Sequence, residues 1–448
     1  MKDNENQIIN NIKTGDFQKA LELFNDKNLQ TNSPKYYATR SCENLQNGKL
    51  QNAWLWSWRG LNKFPKDPIL TRIIEKICEL NSVREKSKQT YNLNFEDNET
   101  HGEVGNSNTN IRVLQGSMEI ANQMNTLSEG LNRQGIIAHT INYYPYYLNY
   151  DSNYTWSLIG QRSTPLINEK LRKLTNEFLH HYDLFHFHFG TSLTLDWSDL
   201  PLYKSSGKAI LMQHWGSDVR IFSKAIELNP YALVKNKNEY QIKTKLSKLS
   251  DNIHNCVVFD MELYQYVKEF YKNVHVLPSM INLKKYQPIK NAIPNKKPLI
   301  VHAPTSPAIK GTKYILEAIE SLNDKYDFDF RLVKGLSHDE AIKIYQAADL
   351  IIDQLHIGSY GLFAVEAMAM GKPVICWISD FMKDHYPNNL PIIIANPETI
   401  KDTIEFILRN IDLLPEIGIK GRQYVEMNHD MVKNSKDVLS LYLSLLQK

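Results

Sequence analysis

The stretch that most constrains this chain runs from Ala347 to Trp377, AADLIIDQLHIGSYGLFAVEAMAMGKPVICW. Leu350-Ile351-Ile352 is a short apolar run of the kind that forms a buried parallel strand. His356 to Gly361 reads as a loop with two glycines, and Leu362 to Met370 is built from strong helix formers. Gly371-Lys372-Pro373 stops that helix, since glycine suits a C-terminal cap and proline cannot continue it. Val374-Ile375-Cys376 then begins the next strand. The Gly361 loop presents the free N–H groups near Leu362 and Phe363, and the positive end of the helix dipole, to an anion. Glu366, one turn inside, is an acceptor able to hold a ribose diol, and Asp353 and Gln354 end the preceding strand on the cleft side. The combination suits a nucleotide diphosphate.

A chain of 448 residues has room for two to four domains. Its 42% hydrophobic and 23% charged residues are those of a globular protein with ample core. A net charge of +3 is too mild to imply nucleic acid, although a local basic patch could touch an anionic membrane. No apolar run approaches a membrane span, and MKDNENQIIN lacks the apolar region of a signal peptide. Cys42, Cys78, Cys256 and Cys376 are scattered and read as reduced thiols. These features predict a cytoplasmic protein without a transmembrane segment, with the inner membrane face as a peripheral alternative.

Residues 1–90 are expected to be helical and to contain a repeat. Gly15-Asp16-Phe17-Gln18-Lys19-Ala20-Leu21 is echoed by Gly48-Lys49-Leu50-Gln51-Asn52-Ala53-Trp54, Pro65 ends the second helix, and Ile69 to Leu80 adds an amphipathic one. Residues 91–110 are polar and read as a linker. From 111 the pattern becomes strand, turn, helix: Ile111 to Leu114, then Gly116 and Ser117, then a helix from Glu119 to Gln134 closed by Gly135. Asn142 to Tyr150 carries five tyrosines, able to stack on sugar rings or to pack as a loop cluster. Asp183 to Gly190 alternates Phe and His, so His188 either reaches a ligand at the strand end or bonds a neighbour in the core. The next strand, Ala209 to Met212, runs into Gln213-His214-Trp215-Gly216-Ser217-Asp218-Val219-Arg220. His214 there suits a hydrogen bond to a hydroxyl or phosphate, while Asp218 and Arg220 either face the cleft or pair to hold the loop. Residues 291–297, with Pro294, read as a hinge. Beyond it, His302 to Lys313 is a second phosphate candidate, with Lys310-Gly311 opening a helix and Lys310 as a point charge.

Gly361-Leu362, Glu366-Ala367-Met368-Ala369 and Gly371-Lys372-Pro373-Val374 resemble the donor-site signature of GT-B glycosyltransferases, specifically retaining glycosyltransferase family 4. His214 to Asp218 is similar to the family's HG(S/T)D loop, and Leu277-Pro278 through Tyr286-Gln287-Pro288 resembles the crossover that ends its first domain. Residues 1–90 resemble tetratricopeptide repeats, whose period is about 34 residues. The resemblance implies an α/β fold of the GT-B type, two Rossmann-like domains facing across a cleft, preceded by a small all-α helical repeat domain. Residues 111–290 would form the acceptor-side domain, 291–430 the nucleotide-sugar domain, and 431–448 a helix crossing back to the first.

It further implies hexosyl transfer from a nucleotide-diphosphate sugar to a hydroxyl of a glycan, lipid-linked or protein acceptor, with retention. His214 and Lys310 would be catalytic. Glu366, Gly311, Gly361, Leu362, Phe363, Asp353 and Gln354 would bind the donor, and Gly116, Ser117, His188 and Asp218 would line the acceptor side. No cofactor beyond the co-substrate is expected, and no metal: Asp327-Phe328-Asp329 spells the DxD of metal-dependent transferases but leads straight into a strand. The chain departs from the family twice. Gly358 stands where a first glutamate is usual, and Pro304 where an arginine is usual, leaving Arg331 or Lys334 as stand-ins for the latter. A degenerate scaffold that docks a protein partner through its repeats, and a nucleotide-sugar epimerase, are the alternatives.

Overall fold

The computed structural model describes residues 2–24, 33–48, 50–64, 67–86, 111–144, 150–158, 163–289, 295, 297–334, 336 and 338–447. Pro65, the linker 91–110, the tyrosines at 146 and 147 and most of the hinge at 291–297 lie outside these residues. Two units separate, a helical one at the start of the chain and an α/β one after it.

The helical unit holds Lys2–Thr14, Phe17–Phe24, Pro34–Gln46, Leu50–Lys63 and Pro68–Lys86. Each helix packs on the next, and the first also meets the last, where Lys76 Nζ donates to Lys13 O at 2.9 Å. The echoed residues take equivalent places. Gly15 (φ 86°) and Gly48 (φ 68°) are both left-handed just before a helix, a conformation that favours glycine. Ala20 and Ala53 are both fully buried in the core of this unit.

The α/β unit is built on two parallel sheets. The first contains β1 (Arg112–Gly116), β2 (Ile137–Asn142), β3 (Tyr154–Thr155), β4 (Leu184–His188), β5 (Ala209–Gln213), β6 (Asn255–Val258) and β7 (Asn273–Val276), in the order β3-β2-β1-β4-β5-β6-β7. The second contains β8 (Leu299–His302), β9 (Asp329–Leu332), β10 (Leu350–Ile352), β11 (Val374–Cys376) and β12 (Ile392–Ile394), in the order β12-β11-β10-β8-β9. Strand order reverses between β1 and β4 in the first half and between β8 and β10 in the second. Ligands of open α/β sheets sit at such switch points, outside the carboxyl ends of the strands. Helices cover both faces of the central strands, so β4, β10 and β11 are buried throughout, the histidines of β4 included.

The helix expected from Glu119 begins only at Gln123. Ala121 and Asn122 adopt left-handed φ of 52° and 62°, which delays it. Glu119 serves instead as an acceptor for its first turn, taking the N–H groups of Met124 and Asn125 at 3.1 Å each. The last helix, Met431–Leu446, packs on Gln123–Asn132 of the first half. Tyr442 OH meets His186 Nδ1 at 2.7 Å, and a Cβ at Gly130 would lie 2.7 Å from that of Ser435, so only glycine allows this approach.

Candidate functional site

At the second switch point, His302 ties the strands together. Its Nδ1 donates to Ile352 O at 2.8 Å and its Nε2 accepts from Thr312 Oγ1 at 2.9 Å. Burial pushes its pKa down to about 4, so it is neutral and structural. Lys310 is the last residue of a one-turn helix, Pro307–Lys310, not the opening of the longer helix Thr312–Asn323. Gly311 between them is left-handed (φ 74°) and packs so closely that a Cβ would lie 2.9 Å from Leu355 Cβ. This turn aims the Lys310 amine across the switch point at Asp353, with which it forms an ion pair. The other oxygen of Asp353 accepts the Gly361 N–H at 3.3 Å. A side chain begun at Gly361 would lie 3.8 Å from Lys310 Nζ, so amine, carboxylate and helix start form one cluster. Gln354 braces the loop, donating to Ser359 O at 2.5 Å. The first-turn amides of Leu362 and Phe363 have no carbonyl a turn behind them in the helix.

Glu366 lies one turn further in. Its Oε1 takes Tyr286 OH at 2.8 Å and His338 Nε2 at 3.2 Å; among the described residues neither contact uses Oε2. It lines a crevice together with Asn122, Gln123 and Thr126 of the first half, Tyr286 of the crossover, and Leu362. Tyr150, the last of the tyrosine stretch, stands edge-on to His338 with ring centroids 5.7 Å apart. Tyr143 is buried, its hydroxyl donating to Leu193 O at 3.1 Å.

The two departures from the family pattern have different structural outcomes. Gly358 is left-handed (φ 82°), and a Cβ there would lie 2.8 Å from Asn229 Nδ2 and 3.0 Å from Ser379 Cβ. Asn229, from the first half, fills that space, donating to His356 O at 2.8 Å and accepting from Trp377 Nε1 at 2.9 Å. No glutamate fits at 358 without displacing it. At Pro304 the missing arginine is not replaced by Arg331, which lies within edge strand β9 and is exposed. Lys334 lies just past that strand, and its charge reaches His302.

The first half corrects several expectations. Ser117 sits at the β1–β4 switch point but is buried, its hydroxyl donating to Ser192 O at 2.8 Å. Gly116 beneath it leaves no space for a side chain, since a Cβ would lie 2.6 Å from Ile141 Cγ2. His188 is a core residue: Trp215 Nε1 donates to its Nδ1 at 3.2 Å and its Nε2 meets Gln115 Oε1 at 3.1 Å. Burial, with His186 beside it, holds its pKa well below the usual value.

His214, expected to be catalytic, is fully buried with both ring nitrogens taken, by Asp218 Oδ2 at 2.6 Å and Tyr271 OH at 2.8 Å. Asp218 also accepts the Trp215 and Gly216 N–H groups at 3.1 and 3.0 Å. Burial raises its pKa, but His214 and these amides outweigh that and hold it below the carboxylate range. Arg220 pairs with Glu262 at 2.8 Å rather than with Asp218. The HxGSDxR segment is therefore a braced loop. His214→Ala should lower stability by about 2–3 kcal/mol, because it strands a buried carboxylate oxygen. An unchanged urea midpoint would return His214 to the catalytic candidates.

Asp260 adds a pH dependence. Its Oδ1 caps the helix Met261–Val267 through Leu263 N–H at 2.9 Å, and its Oδ2 is buried without a partner among the described residues. Burial, with Glu262 beside it, pushes the carboxyl up to about 7. The folded chain thus keeps a proton that the unfolded chain loses near pH 4, and stability falls as pH rises from about 4 to about 7. Asp260→Asn keeps the cap and does not titrate. It should gain about 2–4 kcal/mol over the wild type at pH 8 and nothing at pH 4, read from urea midpoints.

Among the described residues no three His, Cys, Asp or Glu side chains gather as a metal site would require, and no helix is long and apolar enough to cross a membrane. Asp329 starts β9 at its amino end and Asp327 pairs with exposed Lys297, away from the crevice. Sequence reasoning missed Asn229 and His338, which carry no motif. It used Tyr286 only as a marker of the crossover.

No family model matches the chain. The trehalose synthase of Pyrococcus horikoshii is 23% identical over 164 residues, 36% of this chain and 39% of that protein, so the match spans well under half of the relative. Among solved structures, sucrose-phosphate synthase from Thermosynechococcus elongatus superposes with a TM-score of 0.54 at 17% identity, covering 75% of this chain and 99% of that one. A glycosyltransferase from Rickettsia africae gives 0.55 at 15% identity, covering 76% and 100%. Anabaena HepE in complex with UDP-glucose gives 0.53 at 10% identity, covering 75% and 100%. The α/β unit has the GT-B fold, with its two parallel sheets and a helical region ahead of them.

Proposed function

We propose that the chain is a retaining, metal-independent glycosyltransferase similar to family 4, which moves a hexose from a nucleotide-diphosphate sugar to an acceptor hydroxyl. One observation carries this reading. Lys310, the Gly361 amide and the start of the helix Leu362–Ala369 converge at the second switch point, with Glu366 one turn inside the same helix on the crevice. We read this cluster, held together by Asp353, as an anion site beside a diol acceptor, suited to a diphosphate and its ribose. HepE, which shares the fold, is a complex with UDP-glucose, and this supports a nucleotide-sugar donor here.

The leaving diphosphate needs its growing charge neutralised. Lys310 and the first-turn amides would do so from fixed positions, each donor worth on the order of 2–4 kcal/mol. The bond from the sugar C1 to the diphosphate oxygen breaks while C1 bonds the acceptor oxygen on the same face. The acceptor proton passes to a diphosphate oxygen. Water stays out as the two halves close. The helical unit is proposed to dock a protein partner, as tetratricopeptide-like units do.

The test is incubation of the purified protein with a panel of UDP-, GDP- and ADP-hexoses, with donor hydrolysis followed by NMR. Slow hydrolysis of one donor, with retained anomeric configuration in transfer, is the expected result. Nucleotide binding without turnover of any donor would favour the scaffold alternative.

A further inference from the structure

We propose that His429 is a positioning residue for the donor: through Tyr360 it holds the Gly361 amide and the first-turn amides of Leu362 and Phe363 where a diphosphate can bond them. This rests on the nucleotide-diphosphate reading above. The helix Leu362–Ala369 starts at a glycine and has no side-chain cap bond. Its first amides are thereby left free for an anion, but no cap pins them. The Gly361 N–H reaches Asp353 only at 3.3 Å, too long to fix the loop alone. The residue before it is the one anchored. Tyr360 is buried, and its ring stacks on Tyr386 with centroids 4.6 Å apart. Its hydroxyl meets His429 Nε2 at 3.0 Å and Tyr424 OH at 3.1 Å. Tyr360 and Gly361 share one planar peptide unit, so anchoring the tyrosine restrains the amide.

The direction of these bonds follows from His429, which lies between the helix Leu414–Asn428 and the crossing helix Met431–Leu446. Its backbone is tied to the crossover: the Ile281 N–H donates to His429 O at 2.9 Å, and the Met431 N–H to Ile281 O at 3.1 Å. Its Nδ1 lies 2.7 Å from Ser279 O, which can only accept, so the ring proton sits on Nδ1. Burial pushes its pKa down to about 4, so the imidazole is neutral and Nε2 is an acceptor. Tyr360 therefore donates to Nε2 and accepts from Tyr424. The crossover is held in turn by Gln123 of the first half. The Gln123 side chain accepts the Met280 N–H at 3.1 Å and donates to Met280 O at 2.8 Å. The frame behind the second-half anion site thus reaches back to the first.

Calorimetric titration of the full chain with UDP, GDP and ADP, beside the urea midpoint of each variant, tests this. Asparagine places its amide near the Nδ1 position of histidine, and glutamine near the Nε2 position. His429→Asn therefore keeps the bond to Ser279 and loses the one to Tyr360, while His429→Gln does the reverse. Each gives up one bond of the same buried ring, so their midpoints should fall alike. Their affinities should differ. For the diphosphate that binds the wild type, His429→Asn should bind about five- to tenfold more weakly and His429→Gln should stay within about twofold. Tyr360→Phe, which keeps the ring on Tyr386 and loses only the hydroxyl, should match His429→Asn. Wild-type affinity in Tyr360→Phe, or equal losses in the two His429 variants, overturns the assignment while leaving the donor site standing. A wild type that binds none of the three nucleotides overturns both readings.

Discussion

Lys310→Ala should cut turnover about 10²- to 10³-fold, the scale of removing one preorganised donor to a developing oxyanion. It should also destabilise the protein by about 3 kcal/mol, because Asp353, whose side chain is fully buried, then lacks its cation. The two effects separate in the double variant Lys310→Ala with Asp353→Asn. Removing the buried charge should bring the urea midpoint back towards the wild type and leave turnover low. If the double variant regained both stability and rate, the only task of Lys310 would be to neutralise Asp353. Initial rates with saturating donor, measured beside the unfolding curves, decide between these outcomes.

Glu366→Ala should weaken nucleotide-sugar binding by about 1.5–3 kcal/mol, the scale of a charged hydrogen bond. The ligand itself supplies the control. If Oε2 of Glu366 holds the ribose diol, the wild type should prefer a ribonucleotide over its 2′-deoxy form, and the variant should lose most of that preference. Equal loss for both nucleotides would mean that Glu366 acts only through Tyr286 and His338, which bond its Oε1. Tyr286→Phe keeps the carboxylate and removes one of those bonds, so it should retain the ribose preference.

The parts of the site legible in the sequence are those in which strand, loop and helix are contiguous. Leu350 to Cys376 carries its own start and stop signals, so the switch-point loop and Glu366 could be located before any fold was known. Pairings across long sequence separations were not legible. Lys310 reads as a lysine opening a phosphate helix until Asp353 is found opposite it. His214 reads as a cleft group until Tyr271, on another element, is found closing its second nitrogen. The delayed start of the helix at Gln123 depends on left-handed φ at Ala121 and Asn122, of which only the asparagine commonly adopts that conformation. In sequence, Gly358 reads as the loss of a sugar-contacting glutamate. In the fold it is a left-handed residue covered by Asn229, and nothing in Asn229-Pro230 announces that role.

The helix Met431–Leu446 sets the order in which a newly made chain can finish folding. Met431, Val438 and Tyr442 belong to the same apolar cluster as Val113 and Leu211 of the first sheet and Leu127 of the helix Gln123–Asn132. While the ribosome is still making the second sheet, the first must wait with that groove open. The amino-terminal Rossmann half is completed by residues made only after the whole second sheet, so a fragment cut after the crossover should aggregate, and removing residues 431–446 should harm the half made first.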